Sequence, residues 1–149
     1  MPMRLGTPQP SLEGATEWIG GTPDTDGANA VMIHFWALSC HICHETMADV
    51  LRIRDTYAVN GLRTVAVHMP RMEADTDVEK VKVDMANYGI TQPCAIDNLH
   101  HIANRFESEH VPAFFIFDKA GVLKFRAAGD RGFAKVEPKI REALGLSQR

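Results

Sequence analysis

Short apolar runs alternate with segments of helical periodicity along this chain, and that alternation constrains the fold more than any other feature. The runs V-M-I-H-F-W (31–36) and T-V-A-V-H-M (64–69) are short and rich in β-branched residues, which predicts two buried strands. Between them, apolar residues recur three or four positions apart from Cys43 to Tyr57, which predicts a helix over about residues 40–57. This order favours parallel strands joined by a helix that covers the sheet.

The middle of the chain continues the same alternation. Thr76 and Glu79 form a capping box, which predicts a second helix that ends at Gly89. P-C-A-I-D (93–97) predicts a third short strand, and Asn98 is expected to cap a brief helix after it.

The last third of the chain predicts a hairpin and a closing helix. A-F-F-I-F (113–117) and V-L-K-F-R-A (122–127) flank the turn D-K-A-G, in which Gly121 supplies the positive φ that such turns need. Apolar residues at helical spacing from Phe133 to Leu144 predict one final helix. The element order is β-α-β-α-β-α-β-β-α, which predicts an α/β fold with a central mixed sheet flanked by helices on both faces.

The domain organisation follows from length and from the distribution of Gly and Pro. The chain has 149 residues, which is the size of one domain. Residues 1–29 are dense in Gly and Pro and predict a loop-rich N-terminal arm with at most a short hairpin, whereas residues 30–146 form the predicted core.

Composition excludes several classes of protein. The net charge is -3 and the basic residues form no stripe, so nucleic acid is not an expected partner. No window approaches the ~18 to 20 continuous apolar residues that span a bilayer, and the N-terminus lacks the apolar core of a secretory signal. We therefore expect a monomer in the cytoplasm, or an exported protein if a signal segment has been removed.

Cys40, Cys43 and His44 spell C-x-x-C-H, a pattern shared by haem tethers, zinc half-sites and redox dithiols. The predicted strand before the motif differs from the mostly helical shell typical of a tethered haem. A closed zinc site needs a second close Cys/His pair, and the sequence does not supply one in a suitable place. A dithiol is therefore favoured, and no cofactor is expected.

The predicted helix gives the two cysteines different roles. Cys40 lies directly after a buried strand at the start of the helix, where the first N–H groups and the helix dipole favour a thiolate. Cys43 lies one turn further on the same face, close enough to attack a disulfide formed at Cys40. This spacing predicts a nucleophilic Cys40 and a resolving Cys43.

The motifs H-F-W-A-L-S-C-H-I-C and H-V-P-A-F-F-I-F-D-K-A-G resemble the thioredoxin superfamily, particularly thiol-disulfide oxidoreductases of the TlpA/ResA type, over about residues 28–146. The resemblance implies a thioredoxin-like fold, disulfide-bearing or dithiol proteins as substrates, and an upstream electron donor. It also implies that Pro112 is cis beside the dithiol and that the backbone of Val111 pairs with the substrate chain.

Three further residues are candidates near the dithiol. His34 occupies the place where thioredoxins carry a buried acid, so we expect either a proton carrier for Cys43, with an unperturbed pKa near 6.5, or a core histidine. His41 lies between the cysteines, where a cationic imidazole would stabilise the Cys40 thiolate. Trp36 is expected to pack beside the dithiol at the edge of the substrate site.

Two other functions are compatible with parts of the pattern. A redox-inactive binding module would keep the same shell, although the intact Cys40/Cys43 pair argues against it. A peroxiredoxin would need P-x-x-x-[ST]-x-x-C, but residue 36 is Trp and residue 37 is Ala. Cys94 follows Pro93 on a predicted strand and is expected to be a small buried residue. The charged run from Arg71 to Lys80 predicts a solvated helix entrance without a binding role.

Overall fold

The strands lie where the apolar runs predict them, and the computed structural model, which describes residues 2–148, adds one strand in the N-terminal arm. The strands are β1 (Glu17–Ile19), β2 (Ala30–Trp36), β3 (Leu62–His68), β4 (Cys94–Ile96), β5 (Ala113–Asp118) and β6 (Leu123–Ala128). The helices are α1 (His41–Tyr57), α2 (Val78–Tyr88), α3 (His101–Arg105), α4 (Gly129–Phe133) and α5 (Val136–Ala143). Short 3₁₀ turns at Ala58–Asn60 and Glu73–Thr76 precede β3 and α2.

The six strands form one mixed sheet in the order β1-β4-β3-β2-β5-β6. β2, β3 and β4 are parallel, whereas β5, β6 and β1 run antiparallel to their neighbours. The α/β architecture predicted from the element order is therefore confirmed. In the parallel pair, Trp36 lies beside His68, so β2 and β3 end together at one edge of the sheet.

The N-terminal arm is part of the sheet, which the Gly and Pro pattern did not predict. β1 pairs antiparallel with β4, with Trp18 opposite Ala95. At the other edge, Pro8 forms a bridge with Val122 and Gly6 N–H donates to the Leu123 carbonyl at 2.8 Å. Three residues are too few to show the alternation that marks a strand, so the sequence pattern could not reveal β1.

Two predicted helix caps are wrong in their detail. Asp77, rather than Thr76, caps α2 by accepting from the N–H groups of Glu79 and Lys80. The hydroxyl of Thr76 instead donates to the Glu73 carbonyl at 2.6 Å.

Asp97, rather than Asn98, receives the first N–H groups of α3. Its two carboxylate oxygens accept from Ile102 N at 3.0 Å and from Ala103 N at 2.8 Å. Because Asp97 is fully buried, the charge is matched by these backbone donors rather than by water.

The predicted final helix starts later than expected, as α5 at Val136, and Phe133 instead ends the separate short helix α4. Pro138 lies in the first turn of α5, where its missing N–H needs no partner. In one helix running through this region, Pro138 would leave the carbonyl four residues earlier without a donor. A new helix that begins at Val136 avoids that loss.

Alternate residues of β2 face two apolar layers. Met32 and Trp36 belong to a core cluster with residues of α1, α2 and α5. Ile33 and Phe35 belong to a second cluster on the other face, with residues of α3 and the N-terminal arm. The loop 37–39 then leads from the end of β2 into α1, so the start of α1 lies at the carboxyl edge of the parallel strands. None of the helices described between residues 2 and 148 has the length and apolarity to cross a bilayer.

Candidate active site

Cys40 is the N-cap of α1, and its side chain is joined to Cys43 by a disulfide. The two Cα atoms are 5.2 Å apart, and Cys40 Sγ accepts a hydrogen bond from the backbone N–H of Cys43 at 3.0 Å. The Cys40 sulfur thus takes the place of the oxygen that normally caps a helix. At the start of this 17-residue helix, N–H groups and the helix dipole favour a negative charge on that sulfur when the disulfide is reduced.

The Val111–Pro112 peptide bond is cis, as the family resemblance implies. Pro112 is buried, and Val111 packs against the core cluster that contains Cys40 and Cys43. β5 begins at the next residue, and its Ala113 pairs with Phe35 near the end of β2. The cis-proline loop and the dithiol therefore lie at the same edge of the sheet.

Trp36 lies beneath the dithiol rather than on the surface. It belongs to the same core cluster as both cysteines and is 1% exposed. Its indole ring meets the His68 imidazole edge-on, with centroids 4.9 Å apart. In this state Trp36 supports the site by packing and offers almost no surface to a substrate.

His34 lies on the α1 face of β2, as its place six residues before Cys40 predicts. It is 1% exposed, and its Nε2 lies 2.9 Å from the side-chain amide nitrogen of Gln92. Burial and the positive charge of Arg54 lower the pKa of His34 to about 3, so the imidazole is neutral near pH 7. The proton-carrier hypothesis depends on a pKa near 6.5, which these surroundings oppose, and the role of His34 stays a prediction.

His41 lies at the surface in the first turn of α1. Its Nε2 is 2.7 Å from Glu45 Oε1, and the His41 side chain is 85% exposed. An exposed pair of this kind contributes little to stability. The negative charge of the Glu45 carboxylate offsets any positive charge that His41 provides near Cys40.

His44 connects the start of α1 to α2. Its Nε2 lies 2.7 Å from Asp84 Oδ2, and its ring stacks on Tyr88 with centroids 5.2 Å apart. The helical spacing of α2 gave no sign of this partner. His44 therefore fixes the beginning of α1 against α2.

A polar network around Ser39 adjoins the nucleophile, and the sequence analysis did not find it. Ser39 Oγ donates to Asp75 Oδ2 at 2.7 Å, and Arg71 donates from its side chain to both oxygens of Ser39. His68 Nε2 accepts from the backbone N–H of Leu38 at 3.0 Å. The run from Arg71 to Lys80 is thus not only a solvated helix entrance, because two of its members hold the residue that precedes Cys40.

His68 is neutral in this network. Burial lowers its pKa to about 4, although the nearby carboxylates of Asp75 and Asp84 act in the opposite direction. A neutral imidazole with a free lone pair on Nε2 is the form that can accept the Leu38 N–H. His68 therefore positions the loop that leads into Cys40.

Cys94 is a buried structural cysteine. It is fully buried on β4, and burial raises the pKa of its thiol to about 12. Within residues 2–148, no group of three or more His, Cys, Asp or Glu side chains is arranged to hold a metal ion.

Known proteins share both the sequence and the architecture of this chain. The sequence profile of the AhpC/TSA family matches residues 17–126. The thiol-disulfide oxidoreductase YkuV of Bacillus subtilis (strain 168) is 41% identical over 149 residues, which cover 98% of this chain and 100% of YkuV. The thiol-disulfide oxidoreductase ResA of Geobacillus kaustophilus (strain HTA426) is 25% identical over 96 residues, 63% of this chain and 51% of ResA.

A solved structure agrees with these matches. The solution structure of a thioredoxin-like protein in the oxidized form superposes with a TM-score of 0.88 at 40% identity, covering 98% of this chain and 100% of that chain. Its fold is therefore the fold of this protein, as the C-x-x-C and cis-proline motifs predict. The family profile matches most of this chain, and YkuV is 41% identical over 98% of it. The chain therefore belongs to the AhpC/TSA family of thioredoxin-like proteins.

Proposed function

We propose that the protein is a thiol-disulfide oxidoreductase that exchanges disulfides with protein substrates through Cys40 and Cys43. The observation that carries the proposal is the Cys40–Cys43 disulfide at the start of α1, in which Cys40 Sγ accepts the Cys43 N–H. The same N–H and the helix dipole would stabilise a Cys40 thiolate after reduction. The names of YkuV and ResA support this activity.

The exchange proceeds in two balanced steps. The Cys40 thiolate attacks one sulfur of a substrate disulfide, a mixed disulfide forms, and the other substrate sulfur leaves as a thiolate that takes up a proton. Cys43 then loses its proton, attacks Cys40 Sγ and displaces the second substrate thiolate. Two electrons and two protons pass from the protein dithiol to the substrate, and the Cys40–Cys43 disulfide remains. The reverse sequence oxidises a substrate dithiol.

The cis-proline loop supports a protein substrate. Val111 is half-buried directly before Pro112, at the same edge of the sheet as Cys40. We propose that the Val111 backbone pairs with an extended segment of the substrate, which would hold the substrate disulfide in line with Cys40. An external reductant must restore the dithiol after the protein reduces a substrate, and an external oxidant must restore the disulfide after it oxidises one.

Insulin reduction tests the proposal. With dithiothreitol as the electron source, we expect the wild-type protein to accelerate insulin reduction and Cys40→Ser to abolish the acceleration. Reduced Cys43→Ser, mixed with insulin after dithiothreitol has been removed, should accumulate a mixed disulfide with insulin that mass spectrometry detects, because no resolving thiol then displaces the insulin. Cys94→Ala, which removes a buried thiol far less reactive than Cys40, is the matched control and should retain wild-type turnover. A wild-type rate equal to that of dithiothreitol alone would instead favour a redox-inactive binding module.

The direction of exchange follows from the midpoint potential. Known dithiol enzymes range from about -270 mV for thioredoxin to about -120 mV for DsbA. Titration of the Cys40/Cys43 pair in glutathione buffers would assign this protein to the reducing or the oxidising end of that range. We propose the cytoplasm as its compartment, which predicts a reducing role, and alkylation trapping in cells tests that placement.

A further inference from the structure

Arg71 reaches from the end of β3 to the peptide bond that leads into Cys40. Its Nη2 donates to the carbonyl oxygen of Ser39, and its Nε donates to Ser39 Oγ at 3.1 Å. The Ser39 carbonyl belongs to the Ser39–Cys40 peptide unit. The guanidinium is therefore held in a fixed position beside the N-cap of α1, although the Arg71 side chain is exposed to solvent.

Asp75 fixes this arrangement from below. Its Oδ2 accepts from Ser39 Oγ at 2.7 Å and from the backbone N–H of Arg71 at 2.9 Å, and the residue is 2% exposed. Burial acts to raise the pKa of the Asp75 carboxyl, but the hydrogen bonds from Arg71 and Ser39 and the nearby His68 outweigh it, so the pKa is lowered. The carboxylate thus holds the Arg71 backbone and the Ser39 hydroxyl.

A second contact anchors the loop that carries Arg71. His100 Nε2 lies 2.7 Å from the carbonyl oxygen of Pro70, the residue before Arg71. Arg71 is therefore held on both sides of its own backbone, by Asp75 and through Pro70. A cation on such a loop has a defined position relative to Cys40.

Among the described residues, no carboxylate forms a direct ion pair with the Arg71 guanidinium. Over the described range 2–148, the ion pairs with oxygen and nitrogen within 4.0 Å do not include Arg71. Neither bond to Ser39 uses Nη1. The Asp75 carboxylate is linked to the guanidinium only through the Ser39 hydroxyl. The neighbouring disulfide is neutral, so ionisation of Cys40 after reduction adds a second anion beside this cation.

We propose that Arg71 is an electrostatic partner of Cys40 that stabilises its thiolate in the reduced protein. The inference rests on the proposed function, because it concerns the same exchange reaction. An arginine side chain is positively charged at every relevant pH. Its guanidinium has several N–H donors, so Nε and Nη2 can hold Ser39 while Nη1 makes no bond to it. Arg71 thereby makes Cys40 a better nucleophile and the disulfide a stronger oxidant.

The other charged and titratable groups around Cys40 supply no comparable cation. His41, on α1, is paired with Glu45 at the surface. His34 on β2 and His68 on β3 lie beneath the site with pKa values of about 3 and about 4, so both are neutral near pH 7. Asp75 is an anion that works against a thiolate, and Arg71 lies at its side. His110, in the loop before Pro112, is exposed.

The test compares Arg71→Gln, which removes the positive charge, with Arg71→Lys, which keeps the charge but lacks the planar guanidinium that binds both oxygens of Ser39. Arg63→Gln is the control, since Arg63 is an exposed arginine near the start of β3, at the opposite end of that strand from the dithiol. The Cys40 pKa is read from the pH dependence of its alkylation by iodoacetamide and from thiolate absorbance. Urea unfolding of each variant reports whether the fold is intact.

Arg71→Gln is expected to raise the Cys40 pKa by about one unit, the size of effect that one nearby opposite charge produces. The equilibrium constant with glutathione should change about threefold toward the disulfide, which is about 14 mV at 29.6 mV per tenfold. Arg71→Lys should fall between Arg71→Gln and the wild type, and Arg63→Gln should match the wild type. The difference between Arg71→Gln and the wild type should shrink with added NaCl, because salt screens charges near the surface.

A wild-type Cys40 pKa and potential in Arg71→Gln would overturn the inference. So would an equal shift in Arg71→Lys and Arg71→Gln that salt leaves unchanged, since that result assigns the effect to loop structure rather than to charge. Both results require a wild-type protein that reduces insulin. A wild-type protein without that activity contradicts the proposed function instead, so the two failures are distinguishable.

Discussion

Gln92 donates a hydrogen bond from its side-chain amide to Nε2 of His34, with the two nitrogens 2.9 Å apart. The direction of this bond is fixed by Arg54, whose Nη1 donates to Gln92 Oε1 at 2.6 Å. A guanidinium can only donate, so the amide oxygen faces Arg54 and the amide nitrogen faces the imidazole. Nε2 of His34 therefore accepts, and the ring is neutral with its proton on Nδ1.

This chain of hydrogen bonds predicts the tautomer and the titration of His34. In ¹⁵N NMR spectra, His34 should show the Nδ1–H tautomer and should not titrate between pH 5 and pH 8. Gln92→Glu places a carboxylate between Arg54 and His34, so we expect it to raise the His34 pKa toward the neutral range. A wild-type His34 that titrates near pH 6.5 would contradict the bond direction deduced here.

The same geometry bears on the proton that Cys43 must lose. Because the Nε2 lone pair of His34 is occupied and its pKa is about 3, we expect His34→Ala to retain the wild-type pH profile of mixed-disulfide resolution near neutral pH. Gln92→Glu should add an ionisation to that profile. A profile that His34→Ala displaces would restore the proton-carrier role predicted from the sequence.

Two buried histidines predict a loss of stability in acid. Burial lowers the pKa of His34 to about 3 and that of His68 to about 4, against about 6.5 in the unfolded chain. Below pH 6.5 the unfolded state therefore binds more protons than the folded state, and the free energy of unfolding falls as the pH falls from about 6.5 toward 4. Above pH 6.5 both states are neutral at these positions, and the contribution is fully present.

Urea unfolding between pH 7 and pH 4 measures this effect. The loss is expected to be on the order of several kcal/mol, since each pKa unit corresponds to roughly 1.4 kcal/mol. His34→Gln should reduce the slope of stability against pH, whereas His101→Gln, a change of an exposed histidine, should not. Equal slopes in the wild type and His34→Gln would show that His34 does not carry the acid sensitivity.

The fold and the dithiol could be predicted from the sequence because their signals are local. Strand β2 is a short apolar run interrupted only by His34, and the helix that follows it shows a regular apolar spacing from Cys43 to Tyr57. The position of Cys40 at the start of α1 follows from those two patterns alone. The cis geometry at Pro112 came from the family resemblance, because nothing in the residues near it distinguishes a cis bond from a trans bond.

The contacts that surround the dithiol could not be predicted, because they join residues far apart in sequence. Ser39 and Arg71 are 32 positions apart, and His34 and Gln92 are 58 positions apart. Polar side chains in loops carry no periodicity that indicates a partner. Ser39 and Arg71 meet because β2 and β3 end together at one edge of the sheet, and the order of strands was needed to see this.

Cys94 is expected to be inert in the folded protein. It is fully buried, and burial raises its pKa to about 12, so almost no reactive thiolate exists at neutral pH. After reduction, iodoacetamide should label Cys40 within minutes and leave Cys94 unlabelled until urea unfolds the chain. Peptide mass spectrometry distinguishes the two sites. Labelling of Cys94 at the rate of Cys40 under native conditions would show that β4 opens readily.

Peroxide reduction should be negligible despite membership of the AhpC/TSA family. For Cys43 as the attacking residue, the motif P-x-x-x-[ST]-x-x-C would place proline at residue 36, where this chain has a buried tryptophan. For Cys40 the motif would place a hydroxyl at residue 37, where Ala37 is fully buried and has no group to donate to a peroxide oxygen. With dithiothreitol as the electron source, the wild type and Cys40→Ser should therefore consume hydrogen peroxide at the same rate. In the insulin assay, by contrast, only the wild type should accelerate reduction. Peroxide turnover that Cys40→Ser abolishes would make the protein a peroxidase, and the site would then have to bind peroxide without the usual hydroxyl.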